Sequence, residues 1–285
     1  MKIGVSSYSF SQYLSSGKMT VKDTITKAAE MGFDAIEFTG LDAPEGITKE
    51  DFARELKEYA NEKNIEISAY VVGANLLCDT VEEERKAVEA VKSEIDIASI
   101  LGVKLFRHDV LFKLPRHVSF NEAMIRTAPL VREIAEYGKK HKITTMIENH
   151  GYAFQDADRV EKLYNAVNHK NFSLLIDIGN FMCADEDTYI SVSRLANLAS
   201  HVHAKDFVKI AFDSDASKEN TFRSRGCNYL RGTAVGYGDA KTLQCIEILK
   251  SAGYDGYVDI EFEGPEDCIE ELQKGLSVLK KICTD

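Results

Sequence analysis

Eight short β-like runs alternate with eight helical stretches along 285 residues, and no other feature restricts the fold as much. The β-like runs fall near 2–9, 34–39, 65–72, 103–109, 143–149, 172–178, 200–205 and 257–262. The helical stretches fall near 20–31, 49–63, 80–101, 119–140, 156–168, 186–199, 240–252 and 266–282. TVKDTITKAAEMGFD shows the repeating unit: Val21, Ile25, Ala28 and Ala29 share one helical face, and Gly32 ends the helix. KSAGYDGYVDIEF repeats that grammar near the other end. Pro129 lacks an N–H and predicts a kink or split in the helix drafted at 119–140. Eight units in this length match a (β/α)8 barrel, whose usual size is about 250 residues. A doubly wound open sheet normally carries a Gly-rich turn after its first strand, and SYSFSQYLSSG is not one. With no linker-like or low-complexity segment, one α/β domain over 1–285 is expected.

The last β-like run poses the functional question. YVDIEFEG alternates Asp259, Glu261 and Glu263 with Val258, Ile260 and Phe262, so one face of the strand is acidic. Other late runs carry matching chemistry at their ends. TTMIENHG places Glu148 in step with Met146 and His150, SLLIDIGNF supplies Asp177, and HVHAKD aligns His201, His203 and Lys205. Strand ends converge in a barrel, so these side chains meet although they are distant in sequence. Three carboxylates confined together repel one another and need a counter-charge. A divalent cation supplies it. Carboxylates with one imidazole suit Mn²⁺ best, with Mg²⁺, Co²⁺ and Zn²⁺ as alternatives.

Composition narrows the partners. A net charge of −11 argues against a generic grip on nucleic acid, while leaving room for a small ligand held by a few basic residues. Six widely spaced cysteines with no CxxC pair suit reduced thiols in a cytoplasmic protein. The start, MKIGVSSYSF, has no apolar core of a signal peptide. No stretch approaches the roughly 18 apolar residues of a membrane span. A homo-oligomer is compatible with all of this.

The motifs IENHG, IDIGNF, HVHAKD, AVGYGD and IEFEG resemble those of the xylose-isomerase-like TIM-barrel superfamily, in particular the sugar phosphate isomerase/epimerase group that includes the ketose 3-epimerases. The resemblance runs from KIGVSSYSF to the final helix. It implies that Glu148, Asp177, His203 and Glu261 are metal ligands, and that Glu148 and Glu261 also act as acid and base on opposite faces of the substrate. Family pattern selects His203 over His201 and Glu261 over Glu263. Ketose epimerases often carry a His three residues beyond the strand-six Asp, where this chain has Asn180.

Further contacts to a sugar are expected from Glu37, His150 and Lys205, and from His108 if its face of the fourth strand looks inward. Arg107 and Asp109 occupy the other face. The long segment 206–239 follows the seventh run and suits a lid, with Gly226, Gly232, Gly236 and Gly238 as hinges. Asn228, Tyr229 and Arg231 would reach inward from it, and Arg223, Arg225 or Arg231 could grip an anionic group. The leading expectation is a metal-dependent sugar or sugar-phosphate isomerase/epimerase working by proton transfer through an enediolate. The alternative is a lyase, a dehydratase or 3-keto-glycoside cleaving enzyme, on the same enolate. An endonuclease-like phosphodiesterase and a non-catalytic sugar-binding barrel are weaker expectations.

Overall fold

The computed structural model describes residues 1–283 and closes the eight runs into a parallel barrel. Its strands are β1 (Lys2–Ser6), β2 (Ala35–Thr39), β3 (Glu66–Val72), β4 (Leu105–His108), β5 (Thr144–Glu148), β6 (Phe172–Asp177) and β7 (Ala199–Ala204). The eighth wall strand is Tyr257–Ile260. Three others intervene in the chain, β8 (Asp206–Ile210), β9 (Phe222–Arg223) and β10 (Tyr229–Thr233), so the eighth wall strand is β11. It pairs with β7 on one side and β1 on the other, completing the ring.

Local chemistry sets the helix ends. Thr20 and Asp23 form a capping box at the start of Val21–Met31, and Gly32 closes that helix in the left-handed conformation. Thr80, Glu83 and Gly102 repeat the arrangement around Val81–Leu101. Apolar helix faces pack on the outside of the barrel. Inside it, a small apolar group of Val71, Met146 and Leu175 fills part of the lumen, with Leu105 against it. Buried polar side chains occupy much of the rest.

Helix Phe120–Lys140 runs unbroken through Pro129, against the expected split. The carbonyl four residues earlier belongs to Ile125, which is exposed, so water can satisfy it. Ala128, Val131 and Ile134 hold the surrounding turns in the core.

Segment 206–239, expected as a lid, carries three short strands. β10 pairs antiparallel with both β8 and β9 in a small separate sheet. A Cβ on Gly232 would meet the Glu263 and Gly264 backbone at 2.7 Å, and one on Gly226 would meet Asp185 at 2.7 Å. On Gly238 it would overlap Asp206. These three glycines permit close packing. Gly236 alone of the four has positive φ, at 86°.

One wall glycine matters for the interior. A Cβ at Gly4 in β1 would overlap Oδ1 of the buried Asp259. Gly4→Ala is expected to cost about 1–3 kcal/mol through overpacking, measured as a fall in the urea midpoint at unchanged slope.

Candidate metal and proton-transfer site

Closure brings the four late strand ends together. Glu148 is the last residue of β5, Asp177 the last of β6, and His203 the penultimate residue of β7. Glu261 follows β11 directly. One ligand-type atom from each lies within 4.8 Å of the others. His203 Nδ1 is 3.5 Å from Glu261 Oε2 and 3.8 Å from both Glu148 Oε1 and Asp177 Oδ2. Both His203 Nδ1 and Asp177 Oδ2 are buried with no hydrogen-bond partner. Two ligand-type atoms without a hydrogen bond, facing further carboxylates, fit a hard or borderline divalent cation.

Each ligand-type side chain is held from behind. Arg107 Nη2 lies 2.7 Å from Glu148 Oε2, and Asn180 Nδ2 donates to Glu148 Oε1 at 2.8 Å. The Asn180 backbone N–H donates to Asp177 Oδ1 at 2.9 Å, close beyond the end of β6. Asn149 joins the ends of β5 and β6: its Nδ2 donates to the Asp177 carbonyl and its Oδ1 accepts from the Asp177 N–H, both at 2.8 Å. On the far side of the imidazole, His203 Nε2 is 2.9 Å from Glu37 Oε2. A carboxylate behind the ring directs Nδ1 at the cluster.

Lys205 supplies the local positive charge. Its Nζ lies 2.5 Å from Glu261 Oε2, 3.2 Å from Asp177 Oδ2 and 3.3 Å from Glu263 Oε2. Burial opposes this charge, but Asp177, Glu261 and Glu263 outweigh it and hold the amine well above its usual range. Burial pushes the Asp177 carboxyl up, against Lys205 and with help from Glu148 and Glu261. Burial also raises Glu261, yet Lys205 and His203 prevail and keep it well below the ordinary carboxylate value.

The structure sorts the expected substrate contacts. Glu37 is fully buried behind His203, so it faces the imidazole and not a substrate. His108 points to the helix-facing side of the wall with Phe106, its Nδ1 2.8 Å from the Asp109 carbonyl. Burial lowers it to about 4. The inward residue on β4 is Arg107, bonded to Glu148 and Asp109. Arg231 is committed to an ion pair with Glu266, and Arg225 pairs with Asp156 at 2.6 Å. Asn228 donates to Asp185, and Tyr229 accepts from Arg223. None of the segment's expected inward residues touches the four-residue cluster.

His150 and Lys205 are better placed. His150 is half-buried at the rim with its Nδ1 2.9 Å from Asp109 Oδ1. Burial lowers its basicity, but the Asp109 hydrogen bond overcomes this and leaves it raised. Tyr8 went unnoticed in the sequence. Its phenol is raised by burial and then by the charge of Glu263, and its 40 % exposure places it where a ligand could reach it. Its signal lay only in its position just after the first strand.

The family model described as xylose isomerase-like TIM barrel matches residues 25–282. An inosose dehydratase of Mesomycoplasma hyopneumoniae strain J is 24% identical over 266 residues, covering 87% of this chain and 82% of that protein. L-ribulose-5-phosphate 3-epimerase UlaE of Salmonella heidelberg strain SL476 is 22% identical over 272 residues, covering 90% and 87%. Among solved structures, the IOLI protein with a binding zinc atom superposes with a TM-score of 0.78 at 16% identity, covering 100% of this chain and 98% of that one. Among the described residues, no helix is long and apolar enough to cross a membrane.

Proposed function

The chain belongs to the xylose isomerase-like TIM barrel family, and on that footing we propose that it is a divalent-metal-dependent isomerase or epimerase acting on a sugar or sugar derivative. The observation that carries this reading is the pair Glu148 and Glu261, reaching one cluster from non-adjacent strand ends, β5 and β11. Glu148, Asp177, His203 and Glu261 would hold the ion; Mn²⁺ suits them best, and Mg²⁺, Co²⁺ or Zn²⁺ are alternatives. Bound there, it supplies positive charge for the oxygens of an enolate.

The chain's own groups do the proton work. One glutamate takes a proton from the carbon beside the carbonyl, and the other returns one to the opposite face. Return to the adjacent carbon gives isomerisation instead. Arg107 and Asn180 fix the direction of Glu148, while Lys205 and His203 fix that of Glu261. Lys205 also offers N–H donors to a developing oxyanion. A small polyhydroxylated substrate, a cytoplasmic setting with six unbonded cysteines, and an optional homo-oligomer complete the proposal.

A lyase reading rests on His150. Held by Asp109 at the rim and raised in basicity, it is a proton donor for a departing hydroxyl. The enolate electrons would form the new double bond as the carbon–oxygen bond breaks, releasing water. The dehydratase and epimerase relatives fit either outcome.

Incubation of the Mn²⁺-loaded protein with ketoses, ketose phosphates, cyclic polyol ketones and oxidised glycosides in D₂O separates these readings. Deuterium at the carbon beside the carbonyl, with a new stereoisomer or a carbonyl-shifted isomer, is the expected result. Exchange accompanied by release of water or of an aglycone establishes the lyase. No exchange with any member of these classes overturns proton abstraction.

A further inference from the structure

Below the cluster, four buried polar side chains continue down the barrel lumen. Glu37 Oε2 contacts His203 Nε2 at 2.9 Å and His201 Nε2 at 3.3 Å. His201 Nε2 in turn lies 3.1 Å from Asp259 Oδ2, which accepts from Ser68 Oγ at 2.5 Å. Glu37, His201 and Asp259 are fully buried. Ser68 lines the cavity of about 1020 Å³ at the opposite mouth of the barrel. These residues come from β2, β7, β11 and β3, so the stack crosses the lumen. The wall makes room for it, since any side chain at Gly4 would overlap Asp259.

We infer that His201, Asp259 and Ser68 are positioning residues that fix Glu37 against His203, and through it aim His203 Nδ1 at the ion. The inference rests on the metal reading proposed above. A fully buried carboxylate keeps its place only if polar groups surround it, and besides His203 Nε2 the same Glu37 oxygen has His201 Nε2 against it at 3.3 Å. The His201 ring sits between Glu37 and Asp259, and Ser68 holds Asp259 from below. Without His201, the Glu37 and Asp259 carboxylates face each other across the space its ring fills, and Glu37 loses that hold.

The test uses Co²⁺ alone, titrated into the full chain by calorimetry and followed by its visible d–d absorption. Glu37→Gln is expected to raise Kd about 10–100-fold, the usual effect of removing a residue that orients a metal ligand. His201→Asn should raise it about tenfold and shift the band, Asp259→Asn should act in the same direction, and Ser68→Ala should act more weakly. Glu37→Gln with His201→Asn should weaken binding no more than Glu37→Gln alone, because His201 acts only through Glu37. Wild-type Kd and band in His201→Asn, with only a lower melting temperature, would overturn the inference; so would additive effects in the double variant. If His201→Asn fails to fold, Asp259→Asn and Ser68→Ala decide by the same two readouts. Absence of Co²⁺ binding in the wild type would remove the metal reading itself, whereas tight wild-type binding with unchanged variants removes only the stack.

Discussion

Glu148→Gln and Glu261→Gln should each lower turnover about a thousandfold, a size typical of losing a positioned acid or base. Each also loses a charged metal ligand, so the two effects must be separated. Gln keeps an oxygen at the same place, and saturating Mn²⁺ restores occupancy. The proton carrier is not restored. Asp177→Asn should behave differently, because Asp177 is proposed to hold the ion without moving protons. Its turnover should recover substantially at high Mn²⁺, while the two glutamine variants stay low. Turnover measured against Mn²⁺ concentration checks this, and recovery of Glu148→Gln or Glu261→Gln to wild-type rates would remove them as proton carriers.

Lys205→Met should produce the largest stability effect, and its size should depend on metal. In the metal-free chain, Lys205 is bonded to Asp177, Glu261 and Glu263 in a buried setting. Removing one partner of such a network typically costs about 3–5 kcal/mol, because the remaining charges lose their compensation. A divalent ion replaces that charge. At a thousand times its Kd, a ligand that binds only the folded state adds about 4 kcal/mol, and the variant should gain more than the wild type because no ammonium competes with the ion for Asp177 and Glu261. The metal-free variant should therefore melt far below the metal-free wild type, and saturating Mn²⁺ should close most of the gap. Equal destabilisation with and without Mn²⁺ would show that Lys205 packs the site without balancing its charge.

The barrel was legible because its evidence is local. Capping pairs such as Thr20 and Asp23, glycine stops such as Gly32, and strand runs announce themselves within a dozen residues. The four clustered residues were legible for a related reason: short motifs fix them to strand ends, and closure does the rest. Which face of a strand looks inward was harder, since a shift of one residue exchanges the two sides. On β4, nothing local separates Arg107 from His108; pairing with β3 and β5 decides it. Height in the lumen was hidden as well. His201 and His203 both face inward, but only His203 reaches the cluster, and Glu37 sits between them. The small sheet in 206–239 escaped notice because β9 is two residues long and its pairing with β10 is set by tertiary approach.

One divalent ion held by Glu148, Asp177, His203 and Glu261 underlies every chemical step proposed for the site. Calorimetric titration of Mn²⁺ into chelator-stripped protein, with elemental analysis of the saturated sample, tests that directly. One ion per chain is expected in the wild type, with affinity lost or strongly reduced in Asp177→Asn and His203→Ala. Full-affinity binding in both folded variants, or no binding by the wild type, would contradict it.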